Sequence, residues 1–492
     1  MIPEVEYTEI VNKRPIGLLS IFSLFFFIVI CFSWLVLNQP SLILPFCLSL
    51  FFIFIWIRPE WSFFLTLIFM FISSFFFELD QNEKLRPEFI DLLLPCCTFS
   101  WCFRAMAKDG IKYVYNSLDI FVLLFFIWAA SSAIWAVNYE QSLFELFKLT
   151  FSIFFYLITK SLIIDKNMLR RVITLLVIVG VFQALLSLIS IWIDNGFGWS
   201  QPIASNVDLV SRFWGKKDWQ SDGGRGTGTA VAHTTGFLLN MVLFPAIGYL
   251  FISKKSQRNR LWTTGLIIIT AGMTSTLTKS SIASFLIGSF FIIIHIRKLR
   301  KFLFLSVLLL MVFFIAVSSL SRIRDLEKSI KFTQHQMDSG KSDTSMGTRL
   351  EWWGEGLDKL VDTVGIGYGV GGFKSVIDNV VPDGSHHAVL FDLGLLGFSI
   401  YIFILGFSFL QYYCHLKNCM NDYFRKLMLT YLAGYLVMVI SWLVTLYYTY
   451  TSMWFYIGLG YAMINISNKC EDESGKESGK DSYIVLIGEP AQ

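Results

Sequence analysis

The chain has little charge for its length: only 15% of its 492 residues are Asp, Glu, Lys or Arg. Soluble domains carry roughly 25% charged residues, whereas 55% of this chain is hydrophobic and its mean hydropathy is +0.60. Because no soluble core buries that much apolar surface, the composition excludes a soluble enzyme and a nucleic-acid-binding protein. The net charge of +4 is too small to indicate a polyanionic partner.

The chain is also poor in features that point to disulfides, metals or cleavage. Its eight cysteines lie in apolar segments or on the side assigned below to the cytoplasm, so we expect no disulfide. No zinc-ligand spacing appears either. The first apolar segment lacks a small-residue cleavage site, and another apolar segment follows it directly, so we do not expect a cleavable signal peptide.

What the sequence has is a series of apolar runs of about 20 residues, the length that crosses a bilayer as a helix. We predict an all-α polytopic membrane protein with about fourteen spans. They lie at 16–37, 41–57, 61–78, 89–106, 117–136, 143–164, 170–193, 231–252, 261–277, 280–296, 301–319, 388–412, 427–446 and 448–466. Residues 1–467 would form one membrane domain, and the Glu-, Ser-, Gly- and Lys-rich tail 468–492 would be disordered.

The distribution of Lys and Arg between the short loops predicts the orientation. They concentrate in the loops on the side of the N-terminus, which the positive-inside rule assigns to the cytoplasm together with the C-terminus. Loops 194–230 and 320–387 then face the exterior, which is the periplasm of a Gram-negative cell. Because long insertions on one face usually carry function, we expect the chemistry there.

The second external loop contains an amphipathic segment. Thr348 and Glu351 have capping-box spacing, which predicts a helix start at Thr348, and the apolar residues that follow recur at helical spacing, as on a helix lying on a membrane surface. Arg349 falls in the predicted first turn. It is either a phosphate receptor together with the free amides or an ordinary surface arginine.

Two further patterns follow in the same loop. Glycine at alternate positions of 365–373 predicts a tight turn that lets the backbone approach a ligand or a neighbouring helix; no strand precedes it, which disfavours a nucleotide loop. His386 and His387 stand at the mouth of the next span, as a general base or as residues that merely end a loop. On a helix their side chains diverge by about 100°, so we expect only one to face the cavity.

Charged residues elsewhere complete the candidates. Arg225 lies among glycines just before a span, where it suits a lipid-linked phosphate or snorkels to headgroups. Glu145 and Lys148 sit three apart at the outer end of a span. Such a position indicates function by default, although a structural ion pair between the two is the alternative.

Taken together, four segments resemble the O-antigen ligase and O-antigen polymerase superfamily of bacterial membrane glycosyltransferases, which have a GT-C-type architecture. The matching stretches are 225–229 before a span containing Pro245, 276–285, Arg349 to Trp353 running on to the glycines 365–369 and Phe373, and His386 followed by 393–397. Ser281 stands where the family usually has Arg, so that either Lys279 supplies the charge or the role is absent. His387 replaces the usual Asn, and the interval to 393–397 is about one helical turn short.

The resemblance implies the chemistry. Such enzymes transfer glycan from undecaprenyl diphosphate on the outer leaflet, with inversion and without metal or other cofactor. Arg225 and Arg349 would hold the diphosphate, and His386 would orient or deprotonate the acceptor hydroxyl. We expect further substrate contacts from Arg212, Lys216, Lys279, Lys148, His387, Gly367 and Gly369.

These inferences favour a polymerase of lipid-linked repeat units in the bacterial inner membrane, with the glycan donor, a glycan acceptor, the bilayer and a chain-length regulator as partners. The number of spans favours polymerase over ligase. The alternatives are an O-antigen ligase that transfers glycan to lipid A-core, a protein O-oligosaccharyltransferase and, outside the enzymes, a lipid-linked oligosaccharide flippase. A flippase predicts inverted repeats or broken helices.

Overall fold

The computed structural model describes residues 59–72, 89–107, 115–193, 232–252, 257–276, 278–295, 345–363, 365–376, 384–443 and 448–476. Within these ranges the regular structure is helical. The helices are α1 (Pro59–Ile72), α2 (Phe89–Ala107), α3 (Ser117–Ser132), α4 (Tyr139–Leu162), α5 (Lys166–Ile193), α6 (Ala232–Ile252), α7 (Gln257–Ser275), α8 (Lys279–His295), α9 (Ser345–Asp362), α10 (Phe373–Val376), α11 (Ser385–Asn418), α12 (Asp422–Ser441) and α13 (Thr451–Lys476). A short 3₁₀ turn, Ala133–Trp135, follows α3.

The predicted all-α polytopic class is confirmed. Six of the described helices are long and apolar enough to cross a membrane, and the predicted spans from 61 to 296 and from 388 to 466 each overlap a described helix. The predicted spans 16–37, 41–57 and 301–319 lie outside the described residues, so the number fourteen stays a prediction.

Small residues allow the spanning helices to approach one another closely, as expected where lipid supplies no hydrophobic drive for helix association. The most extensive contacts join α12 to α6, α13 to α4, and α7 to α5. Gly434 of α12 lies against Phe244 of α6 and the Tyr456 hydroxyl of α13, and Gly272 of α7 lies against Ala184 of α5. A larger side chain at either glycine would push these helices apart.

A buried ion pair joins α3 and α4 at one end of the bundle. Lys160 of α4 donates to both carboxylate oxygens of Asp119 in α3, at 2.7 and 2.8 Å, and the Tyr156 hydroxyl donates to the same carboxylate. The Lys160 side chain is fully buried. The opposite end of the bundle, where α11 begins and α12 ends, carries His386 and is called the histidine end below.

The last helix runs further than the sequence indicated. The tail was predicted to be disordered from residue 468, but α13 continues to Lys476. Glu471 explains part of the extension, because its carboxylate accepts the Met420 amide at 3.0 Å in the turn between α11 and α12. Residues 477–492 lie outside the described part of the chain.

Helix α11 is broken at Gly394, whose φ of 66° and ψ of −169° are not helical. The break divides α11 into a short segment that carries the histidines and a longer segment that crosses the bundle. Glycine adopts this conformation readily, whereas a residue with a Cβ does so only with strain.

Candidate functional site

The glycine-rich turn at 365–372 fits into the break of α11. A broken helix leaves amides and carbonyls without intrahelical partners, and here the turn supplies them. The Leu395 amide donates to the Gly365 carbonyl at 2.9 Å, and the Tyr368 and Gly369 amides donate to the Phe391 and Asp392 carbonyls at 2.9 and 2.8 Å. The turn therefore stabilises the kinked form of α11.

The close fit requires glycine on both sides. Gly365, Gly367, Gly369 and Gly371 all have positive φ, between 73° and 88°, and a Cβ added at Gly367 would lie 2.5 Å from the Gly394 nitrogen. The sequence predicted an approach to a ligand or to a neighbouring helix, and the structure shows the approach to a helix. A substrate-binding role for Gly367 and Gly369 stays a prediction.

Asp392 is the polar centre of this junction. It is fully buried, and its carboxylate accepts the amides of Gly371 and Phe373 at 3.0 and 2.8 Å and the Tyr448 hydroxyl at 3.1 Å. A carboxylate that accepts backbone amides in a water-poor interior forms strong, charge-assisted hydrogen bonds. Asp392 thus ties the turn to α11 and to the segment before α13.

Two other side chains complete the junction from α3. The Trp128 indole donates to the Leu393 carbonyl at 2.8 Å, and the Val370 amide donates to the Ser132 hydroxyl at 3.1 Å. The first contact reaches the α11 backbone beside the break, and the second reaches the glycine-rich turn. Helix α3 therefore holds both parts of the junction.

His386 is placed by the docking of α11 against the end of α12. The Ser385 amide donates to the Trp442 carbonyl at 2.9 Å, and His386, only 7% exposed, has its Nε2 3.1 Å from the Val439 carbonyl. A carbonyl can only accept, so Nε2 carries the proton. The buried Nδ1, which has no hydrogen-bond partner in the described part of the chain, is then the basic nitrogen of the neutral ring.

His387 is held by a different contact. Its ring stacks on the indole of Trp353 in α9, with centroids 3.8 Å apart and an interplanar angle of 9°. Further along α9, Leu360 packs with Phe373 and Phe391 in a small apolar cluster, while Leu357 and Val361 are exposed. The predicted amphipathic helix is therefore present, and one of its faces lies on the start of α11.

An apolar cavity of about 520 Å³ opens beside the histidines. His386 and His387 both line it, together with residues of α11 and α12: Leu390, Phe398, Ile402, Leu405, Gly406, Phe409, Tyr435, Leu436, Val439, Ile440 and Leu443. The expectation that only one histidine faces the cavity was wrong.

The start of α9 also differs from the prediction. The helix begins at Ser345 rather than Thr348, which places Arg349 in its second turn. Thr344 and Ser345 are residue types that also favour helix starts. The sequence was therefore compatible with more than one start for this helix. Trp353 follows Arg349 by four residues, about one helical turn.

The other candidate residues fall into two groups. Lys279 begins α8, whereas Arg225, Arg212 and Lys216 lie outside the described residues. Ser281, at the position where the family has Arg, is 1% exposed, and its hydroxyl lies against Gly236 of α6. The enclosed space there suits a small side chain.

Glu145 and Lys148, for which an ion pair with each other was the structural alternative, have other partners among the described residues. Lys148 lies 3.3 Å from the Asp91 carboxylate of α2. Glu145 is buried and accepts from Gln141 at 3.1 Å and from Thr449 at 2.9 Å. The contact with Asp91 links α4 to α2, and a substrate-binding role for Lys148 stays a prediction.

Sequence reasoning missed Asp392, Trp128 and Tyr448. A signal for Asp392 was available, since an acidic residue in an apolar span is costly and rarely without purpose. No comparable signal pointed to Trp128 and Tyr448, because aromatic residues are common in apolar spans. In the described ranges no group of three or more His, Cys, Asp or Glu residues could hold a metal ion.

Fold and site together define a multi-pass α-helical membrane protein with a histidine-containing apolar cavity at one end of its bundle. Residues 264–402 match the family model described as O-antigen ligase (Wzy_C). The match extends from α7 through α9, the glycine turn and both histidines into the second segment of α11. It confirms the predicted resemblance to the O-antigen ligase and polymerase superfamily, whose members are glycosyltransferase-like. No curated protein matches the chain significantly.

Proposed function

We propose that the protein is an inner-membrane polymerase that joins undecaprenyl-diphosphate-linked glycan units by inverting, metal-independent transfer on the periplasmic face. One observation carries the proposal. Within the stretch that matches O-antigen ligases, an apolar cavity is lined by a buried histidine whose Nδ1 has no hydrogen-bond partner among the described residues. This arrangement suits a substrate with a polar reacting head and a lipid tail.

In the proposed reaction, the acceptor hydroxyl attacks the anomeric carbon of the donor glycan. The new bond forms between that oxygen and the anomeric carbon, and the bond from the anomeric carbon to the diphosphate oxygen breaks with its electron pair. The Nδ1 of His386 takes the hydroxyl proton. The diphosphate is a good leaving group, so positioning and charge stabilisation supply much of the rate.

Arg349 and Arg225 take the role of holding the diphosphate. Arg349 precedes Trp353 by four residues, about one turn of α9, and Trp353 is the residue stacked on His387. Arg225 precedes α6, whose start lies at the histidine end, since Phe237 contacts Trp442 there. A guanidinium binds diphosphate oxygens bidentately and offsets the charge that develops on them. Arg212, Lys216 and Lys279 would add positive charge.

The proposal is tested with the full chain reconstituted in vesicles and supplied with purified lipid-linked repeat units. A ladder of longer glycans on undecaprenyl diphosphate supports polymerisation. The ligase function, which the description of the matched family favours, predicts no ladder and transfer to added lipid A-core instead. Movement of the lipid-linked glycan across the vesicle membrane without any new glycosidic bond would contradict both enzyme functions and support a flippase.

A further inference from the structure

The cavity beside the histidines is a groove between two antiparallel helices. Phe398, Ile402, Leu405 and Phe409 contribute from α11, and the other side is formed within 435–443, the end of α12 and the turn that follows it. At 1.5 Å per residue these stretches are on the order of 12–17 Å long. A single leaflet contributes about half of a hydrocarbon core of roughly 30 Å. The groove therefore has the depth of one leaflet.

The lining of the groove is partly exposed, and it includes a glycine. Ile402 and Leu443 in its lining are 42% and 44% exposed. Gly406 is exposed in the middle of α11, and no atom of the described residues lies within 4 Å of a Cβ added there. Glycine inside a helix is destabilising relative to alanine, and no neighbouring helix among those described requires it. The space in front of Gly406 is thus available to a ligand.

We infer that this groove binds the polyprenyl chain of the lipid-linked donor, with the diphosphate at its mouth beside His386 and His387. The identity of the chain rests on the proposed function. An ordinary phospholipid would place an unreactive head group at the histidines, whereas the donor places its anomeric carbon there. Continuity between the groove and the histidines therefore selects the reacting lipid as the occupant.

The binding test uses undecaprenyl diphosphate without glycan, carrying a photoreactive group on its chain, and the full chain in lipid nanodiscs. We expect crosslinks within 398–409 and 435–443 that excess unlabelled undecaprenyl diphosphate removes. Gly406→Trp should lower this labelling about 10- to 100-fold, the range by which pocket contacts discriminate apolar groups. Ile402→Trp, at an exposed position of the lining, is a second groove-filling variant in case Gly406→Trp fails to fold.

Leu410→Trp is the matched control, because Leu410 is a 57% exposed residue of the same helix that is not among the residues lining the groove. It should label like the wild type. Wild-type labelling of both groove-filling variants would overturn the inference, as would equal labelling by a photoreactive phosphatidylglycerol that undecaprenyl diphosphate does not displace.

A transfer assay separates this inference from the proposed function. Groove-filling variants should raise the KM for the undecaprenyl donor and leave transfer from a donor with a two-isoprene chain unchanged. If the wild type labels in the groove but forms no glycosidic bond with any lipid donor, the proposed function fails while the groove assignment stands. If the wild type transfers glycan and both variants use the long donor normally, the groove assignment fails alone.

Discussion

The indole of Trp353 lies parallel to the imidazole of His387, with ring centroids 3.8 Å apart. This contact joins α9, which belongs to a long loop, to the first turn of the helix that carries both histidines. It also brings the backbone of Arg349, about one turn earlier in α9, to the histidine end of the bundle. The stack is therefore the physical link between the proposed donor-binding arginine and the proposed base.

Trp353→Ala should detach α9 from α11. Stacked aromatic pairs contribute roughly 0.5–1.5 kcal/mol beyond the area they bury, and loss of the stack should both lower glycan transfer and increase proteolysis within 345–362. Trp353→Phe should retain most of both properties. Asp358→Ala, at an exposed position of α9, is the control and should match the wild type. Unchanged proteolysis of Trp353→Ala would show that the stack does not hold α9.

Gly367→Ala should destabilise the fold. Its φ of 88° strains a residue with a Cβ, which alone costs of order 1–3 kcal/mol, and the added carbon would lie 2.5 Å from the Gly394 nitrogen. Gly354→Ala is the matched glycine control in α9, where a Cβ meets no atom within 4 Å. Thermal unfolding in detergent should show a lower Tm for Gly367→Ala and an equal or higher Tm for Gly354→Ala. Equal Tm values for Gly367→Ala and the wild type would contradict the fit of turn and helix.

The orientation predicts opposite labelling at the two ends of the bundle. Gly354→Cys, at an exposed position of α9, should react with a membrane-impermeant maleimide in intact cells. Ser474→Cys, near the end of α13, should react only after permeabilisation. The wild type is the control for its native cysteines, including the exposed Cys414. Labelling of both introduced cysteines from the same side would refute the assigned topology.

Much of the fold followed from the sequence, because a bilayer imposes a simple rule on apolar runs. The predicted spans from 61 to 296 and from 388 to 466 overlap helices, and the amphipathic pattern after Arg349 appears as α9. The helix break at Gly394 did not follow, since an isolated glycine in an apolar run is usually tolerated inside a helix. The break depends on a turn that comes about 25 residues earlier in the sequence, and no local pattern reports such a pairing.

The site was predictable where a residue type is unusual in its setting. Two adjacent histidines at a span boundary and an arginine in a long loop stand out, and both histidines line one cavity. Lys148 also stood out, but Asp91 supplies its partner from another helix. Such tertiary pairing decides whether an intramembrane charge is structural, and one sequence does not contain it. Asp392 shows the converse, since two of its partners are backbone amides, which every residue type except proline provides.

Arg349→Ala and Arg225→Ala should each reduce glycan transfer about a hundred- to a thousand-fold, the effect of losing one group that stabilises developing charge. Lys at either position should restore little, because it lacks the bidentate fork. Arg171→Ala, at an exposed position near the start of α5, removes an arginine from the other end of the bundle and should have no effect. Steady-state transfer by equal amounts of inserted protein measures the series. Wild-type activity of either alanine variant would show that the arginine only contacts headgroups.

The measurement that tests the account most directly compares His386→Ala with His387→Asn in the reconstituted transfer assay. Loss of a general base costs about 10²- to 10⁴-fold, so His386→Ala should lose at least that lower factor. His387→Asn restores the residue usual in the family, and loss of the stack on Trp353 removes roughly 0.5–1.5 kcal/mol of contact, so the variant should stay within about tenfold of the wild type. Both variants must be inserted in equal amounts, with Tm values near that of the wild type. If His386→Ala transfers glycan at the wild-type rate, the buried histidine at the mouth of the cavity is not the base, and the proposed mechanism is wrong.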